Sequence, residues 1–271
     1  MERLAGAKAF LHAKGMKILG LSLLLICSFP LILRGETKSV LQSSKTAEEK
    51  SENSNAWMAL PKSRPFPSLL SDPRDIRLGL RKNNKGEIEA DVGGYRSLVG
   101  WQGELSGEST TFHSGLEGNA YFQMRQAGSK FPLHSSDGLI GAYAEASRGD
   151  WQFQLRFTHI SAHLSDGLTP TRSSFVYTRE FLAARLARQL GIWRVYAGYH
   201  LLVHTAPELP RHSAQLGGYA ILPWRWGIAH PYFGGDIRIR SAEEGTTSQL
   251  GAGAAFLSHA GSPPVRLTAS Y

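Results

Sequence analysis

Alternation of apolar and polar residues, kept up over long stretches, is what most limits the folds open to this chain. In "GIWRVYAGYHLLVH" (191–204), Trp193, Val195, Ala197, Tyr199, Leu201 and Val203 share one register, while Arg194 and His200 fall in the other. "PYFGGDIRIRS" opposes Phe233, Ile237 and Ile239 to Asp236, Arg238 and Arg240. Successive side chains of a strand point to opposite faces, so each run predicts a ribbon with one greasy and one polar face. "IRLGLR", "TTSQLGAGAAF" and "VRLTASY" repeat the pattern through Ile76, Leu78 and Leu80, through Leu250, Ala252, Ala254 and Phe256, and through Val265, Leu267, Ala269 and Tyr271. The gaps between runs carry Gly, Pro, Ser, Asp and Asn, which suit turns.

The runs predict about eleven strands, near 75–82, 87–101, 110–126, 138–148, 150–164, 174–189, 191–204, 213–225, 231–241, 246–258 and 264–271. At roughly nine to twelve residues they exceed the usual five or six. Their polar registers mix arginine with acid. A soluble sandwich sends such charges to water; an up-and-down transmembrane barrel sends its apolar register to lipid and its charges to a wet or ion-paired lumen. Tyr95, Trp101, Tyr121, Trp151, Trp193, Trp224, Trp226 and Tyr232 fall near strand ends, where membrane barrels carry aromatic girdles. The expected fold is therefore an all-β, antiparallel up-and-down transmembrane β-barrel of about twelve strands. An even count needs one more strand, from the proline-rich stretch, from a miscounted run, or from a C-terminal strand missing after Tyr271. "TREFLAARLARQL" (178–190) also fits an amphipathic helix, but its short flanking turns favour a strand.

Ahead of the strands, residues 1–35 read as a signal peptide. Its apolar run, Ile18 to Leu33, is too short for a spanning helix and is interrupted by Pro30, and Met16 is a plausible true start. An uncleaved anchor is the alternative. The single cysteine, Cys27, lies here, so the mature chain would hold no thiol, as suits an oxidising envelope. Bulky Ile26 before Cys27 disfavours lipidation. Residues 36–74 begin as a polar tether and continue as a proline-rich periplasmic segment with Pro61, Pro65, Pro67 and Pro73, expected to pack against a barrel domain spanning 75–271.

The formal charge is +8; Arg3, Lys8, Lys14, Lys17 and Arg34 against Glu2 place +4 of it in residues 1–35. The rest has no Lys/Arg block with interleaved aromatics, so nucleic acid is not an expected partner. The glycines of "GIAHPYFGG" and "AQLGGY" precede no helix that would make a phosphate cradle. The scattered histidines predict no metal site, and no cofactor is expected. Outer-membrane lipid or lipopolysaccharide and the barrel-assembly machinery are the expected partners, and the cell outer membrane the expected location.

The stretches "PFPSLLSDPRDIRLGLR", "FTHISAHLSDG", "YTREFLAARLAR" and "RVYAGYHLLVH" together resemble the bacterial envelope family known as domain of unknown function 1207, from about Pro65 to Tyr271. The resemblance implies an outer-membrane β-barrel with a further strand past Tyr271. More locally, "THIS" followed by "TRSSFVYTR" is similar to outer-membrane phospholipase A, which carries a His-x-Ser pair on a strand and a third catalytic residue in a later Arg-Ser-rich stretch. Lipid A deacylases also use His-x-Ser on a barrel strand. The matching positions are His159, Ser161, Arg172 and Ser173; the phospholipase pattern continues Ser-Asn-Gly, whereas Ala162 and His163 follow here.

That resemblance implies serine acyl transfer, with His159 taking the Ser161 proton, Asp166 or Ser173 orienting the imidazole, and Arg172 and His163 contacting substrate. By parity, Trp151, Phe153, Leu155 and Phe157 continue into His159, Ser161 and His163, which puts the row on the apolar face near the outer leaflet. A β-bulge near Thr158 would instead turn the row into the lumen as a hydrogen-bonded plug, and the apolar residues that begin there, Ile160, Ala162 and Leu164, favour this placement. Three functions stay open: a structural or transport-type barrel with a polar lumen, an outer-membrane lipid esterase, and a secreted soluble β-protein that binds surface glycans.

Overall fold

The structure, a computed structural model, describes residues 55–82, 87–164, 177–224, 229–240, 246–256 and 265–270. These form twelve strands: β1 (Ala56–Ala59), β2 (Leu78–Lys82), β3 (Glu87–Leu105), β4 (Glu108–Arg125), β5 (Leu133–Arg148), β6 (Trp151–Leu164), β7 (Thr178–Leu190), β8 (Trp193–Ala206), β9 (His212–Ile221), β10 (Ala229–Arg240), β11 (Thr246–Phe256) and β12 (Val265–Ser270). There is no helix among the described residues. All strands belong to one antiparallel sheet, and from β3 onward each pairs with the next in sequence.

The twelfth strand is β1, in a stretch with no extended alternation of its own. It shares one edge of β3 with β2: β1 pairs with residues 99–102, and β2 with residues 88–92. The helix-like stretch 178–190 is strand β7, with Ala183, Arg185 and Ala187 buried on one face and Leu182 exposed on the other. A turn at Gly191, φ 61°, brings it straight back into β8.

At one end of the sheet two-residue turns at 106–107, 149–150 and 191–192 close three hairpins, while 222–228 and 257–264 join the later strands there. Ser106 and Gly107 both have positive φ, the hairpin turn whose twist suits paired strands. At the other end longer stretches separate the strands, among them 126–132, 165–177 and 207–211.

The sheet is rolled. Laid flat, the seven steps from β3 to β10 would span about 33 Å at 4.7–4.9 Å per strand. Yet one short segment touches both: Asp72 reaches Arg238 of β10 at 3.6 Å, and Arg77 pairs with Asp91 of β3. Cα atoms of β12 come within 8 Å of those of β2. No ladder of paired residues joins these two strands among the described residues.

The inner face is polar. Arg156 is 2% exposed and Glu145 0%, with Glu117, Gln154, Thr158, Arg185, Gln215, Asp236 and Arg238 also buried. The outer face is apolar: Ile140 is 66% exposed and Leu250 68%, beside Leu80, Val92, Leu116, Phe157, Leu216 and Ile237. A water-soluble sandwich has the opposite polarity and a second sheet. Buried charges are tolerated here because they are paired. Arg156 donates to Glu117 Oε1 from Nε and Nη2 at 3.0 and 2.8 Å, and Thr158 Oγ1 donates to the same oxygen at 2.8 Å.

Removing one member of such a pair strands the other. Arg156→Met is expected to destabilise by about 3–5 kcal/mol, with Glu117→Leu/Arg156→Met recovering most of the loss. Urea unfolding of detergent-refolded protein, followed by tryptophan fluorescence, measures both.

Candidate functional site

Between β1 and β2 the chain leaves the wall, and residues 60–77 cross the inside of the rolled sheet. Four prolines remove donors that a ladder would need, so this segment does not pair as a strand. Its side chains bond to the inner wall instead. Its contents are layered along the roll.

Toward the short-turn end, Phe66, Leu69 and Leu70 pack with Ala187, Tyr196, Tyr219, Tyr232 and Ala255. Tyr219 Oη donates to the Ser68 carbonyl at 2.9 Å, and Ser71 Oγ to the Gly218 carbonyl at 3.1 Å. Two glycines make room: a Cβ at Gly217 would lie 2.3 Å from the Tyr196 ring, and one at Gly234 2.2 Å from Ser71 Oγ. "AQLGGY" is thus a packing feature.

The middle layer is ionic. Arg185 Nη2 donates to Asp72 Oδ2 at 2.9 Å, and Arg238 approaches Asp72 Oδ1 at 3.6 Å. Arg64 pairs with Glu145 and lies 3.5 Å from the Tyr95 ring centroid. Gln154 Nε2 donates to Glu145 Oε1 at 2.7 Å. Tyr95 Oη donates to Asp75 Oδ1 at 2.9 Å, and Arg77 Nη2 to the Pro73 carbonyl at 2.8 Å. Burial alone would raise the Asp72 carboxyl; Arg185 and Arg238 outweigh it and hold the group well below the ordinary carboxylate range.

Above this layer, toward the long-loop end, lies a cavity of about 640 Å³, floored by Pro73 and Arg74. Tyr121 Oη donates to the Arg74 carbonyl at 3.2 Å at its edge. The aromatic girdle expectation is therefore corrected for Tyr95, Tyr121 and Tyr232, which face inward to residues 60–77. Trp193 is exposed near the short-turn end and packs edge-on to Phe233 with ring centroids 5.2 Å apart.

The His/Ser row lies elsewhere, on the outer face of β6. Pairing of β6 with β5 and β7 runs without a shift, so no bulge near Thr158 turns the row inward. The register shifts fall at Ser97/Val99, Gln123/Met124 and Glu180/Phe181. Thr158 and Ala162 are buried inside, and His159 and Ser161 continue the register of exposed Phe153 and Phe157. The row is at the long-loop end. Ser161 pairs with Gly138 and Thr178 on the flanking strands, and its Oγ lies 4.0 Å from where a Gly138 side chain would begin. The hydroxyl thus has a low neighbour on one side.

His159 stands opposite Glu180 of β7, with Nδ1 3.4 Å from Glu180 Oε1 and both side chains about 40% exposed (40% and 38%). Nothing in the local sequence of Glu180 marks this contact, which strand register alone creates. Asp166, Arg172 and Ser173 lie outside the described residues. His163 is described only as a backbone partner of Ser136. With Nδ1 at Glu180, Nε2 is the nitrogen available to a hydroxyl; His159 and Ser161 Cα atoms are about 7 Å apart along the strand. Hydroxyl, imidazole and carboxylate in that order are the parts of an acyl-transfer site. Among the described residues no group of three or more His, Cys, Asp or Glu side chains is placed to hold a metal ion.

Asp72 tests the ionic layer. Asp72→Asn is expected to cost about 3–5 kcal/mol of unfolding free energy at neutral pH. Because the folded-state pKa is depressed, this contribution is complete above the unfolded value of about 3.9 and is lost as pH falls through the folded one. The gap between wild type and Asp72→Asn should stay constant from about pH 5 to 8 and narrow only below about pH 4. Urea titrations across that range measure it.

Comparison with protein-family models, with curated proteins and with solved structures found no match to this chain.

Proposed function

We propose that this chain is an outer-membrane β-barrel of the structural or transport type, closed at rest by its own residues 60–77. The observation that carries the reading is the inverted polarity of the rolled sheet. Arginines and carboxylates are paired inside, and large apolar side chains are bare outside. In water such an exterior is far larger than the apolar patches monomers usually show, whereas lipid makes it favourable. The two-residue turns at 106–107, 149–150 and 191–192 suit the periplasmic side of such a barrel, and the long connection 165–177 at the opposite end suits its outer side. The approach of β12 to β2 supports closure of the sheet into a cylinder. Barrel-assembly machinery and outer-membrane lipid are the partners this reading implies.

The His159–Glu180 contact favours a second reading, a lipid esterase of the phospholipase or lipid A deacylase type on the same barrel. Ser161 would attack an ester carbonyl, His159 would accept its proton, and Glu180 would hold the imidazole. A polar row on a lipid-facing register costs little near the interface, which is where acyl esters lie.

For the first reading, the protein should fractionate with membranes and show heat-modifiable gel mobility. It should pass almost no current in planar bilayers, and replacement of residues 60–77 by a Gly/Ser linker long enough to run alongside Gly93 to Leu98 should give ion conductance. Extraction of the mature chain in detergent-free buffer would sink the reading. For the second, refolded protein should release fatty acid from phospholipid or lipid A. Ser161→Ala should abolish release, and Glu180→Gln should lower it by roughly 10³–10⁴-fold. Full activity in Ser161→Ala would exclude Ser161 as the nucleophile.

A further inference from the structure

Among the described residues, the cavity above residues 60–77 is lined by eight arginines and three carboxylates. Its described ion pairs use the acids economically. Arg81 lies 2.6 Å from Glu89, Arg156 pairs with Glu117 at 2.8 Å, and Arg185 with Asp72 at 2.9 Å. Asp137 accepts from Tyr177 Oη at 2.6 Å. Arg238 shares Asp72 with Arg185, and only at 3.6 Å. Its side chain is 10% exposed, and its Nη2 is buried without a hydrogen bond. The Nε of Arg179 is buried and unbonded as well.

Like charges are therefore gathered in a half-enclosed space. Arg74 rises from the floor, Arg179 stands on β7 with its guanidinium 4.4 Å from the Tyr177 ring centroid, and Arg238 stands on β10. Crowding of this kind is unfavourable in an empty cavity and favourable around an anion. The shape narrows the class of anion. One arginine fork satisfies the two coplanar oxygens of a carboxylate. Guanidiniums arriving from the floor and from two separate strands suit a tetrahedral oxyanion, which accepts from several directions.

From this geometry we propose that the cavity is a binding site for a phosphate-bearing anion, gripped by Arg74, Arg179 and Arg238. The site is internal to the rolled sheet, so the inference does not depend on what bathes the outer face. A free phosphorylated solute and a phosphorylated lipid headgroup share this chemistry.

Calorimetric titration of the full refolded chain in detergent with inorganic pyrophosphate tests it. One saturable site per chain is expected, weakening as salt rises. Affinity should fall at least tenfold in Arg179→Gln and in Arg74→Gln, and return in part with Arg179→Lys. It should be unchanged in Arg148→Gln, whose arginine pairs with exposed Glu108 at the short-turn end. Heat-modifiable mobility confirms that each variant has folded. Vesicles carrying a phosphomonoester lipid that displace pyrophosphate would identify a headgroup ligand; vesicles that fail to displace it would identify a soluble one. Absence of saturable binding to the wild type overturns the proposal. So does binding by the folded Arg74→Gln/Arg179→Gln variant at wild-type affinity, or an equal loss in Arg148→Gln.

Discussion

The Asp72 carboxylate, held by Arg185 of β7 and approached by Arg238 of β10, is the point on which the interior turns. Without it, two buried guanidiniums on separate strands would face each other across a narrow space. With it, the segment that supplies the charge is fixed across the inside of the sheet, and neighbouring contacts follow. Leu69 N–H donates to Asp75 Oδ2, Arg64 finds Glu145, and Arg77 finds Asp91. Each pair would be a liability alone, because desolvating ions costs several kcal/mol apiece. They are tolerable together because nearly every charged group in the middle layer also accepts or donates a second bond.

This interior explains why the wall can be greasy outside. A sheet with one polar and one apolar face must hide one of them. Here the polar face is hidden against a polar segment, and that leaves the apolar face to meet the surroundings. The wall residues of β6 make the point: Gln152, Gln154, Arg156 and Thr158 inside, Phe153, Leu155 and Phe157 outside, one residue apart. His159 and Ser161 continue the outer set, so the candidate acyl-transfer row and the candidate anion cavity lie at the same end on opposite sides of one strand.

Much of the wall was legible because a period of two shows in the side chains themselves. Parity alone puts the His159 row on the outer face, but apolar Ile160, Ala162 and Leu164 favour a bulge that would turn it inward, and the unshifted pairing of β6 overturns that expectation. The doubtful stretch 178–190 was settled by the tight turn that follows it, which leaves a strand nowhere to go but back alongside β8; before it runs the longer stretch 165–177, not the short turn expected there. Other features had no local signal. Glu180 meets His159 through strand register, and register is a relation between two segments. Asp72 meets Arg185 across 113 residues, and the proline-rich stretch around it has no period to show which face it would cover. Tyr95, Tyr121 and Tyr232 look like interfacial aromatics by position along a strand; facing inward, they instead give hydroxyls or ring faces to residues 60–77.

The two short strands that share the edge of β3 set how the inner segment can move. Only six residues of β3, Gly93 to Leu98, lie between the stretches that β1 and β2 occupy, whereas eighteen residues run from 60 to 77. β1 and β2 are in effect two halves of a single stave whose slack has been folded inward. A loop stitched to the stave at both ends can shift sideways or flatten, but it cannot swing clear on a hinge like a cork on a string. Any passage it opens must run beside it, past the same guanidiniums that now hold it down.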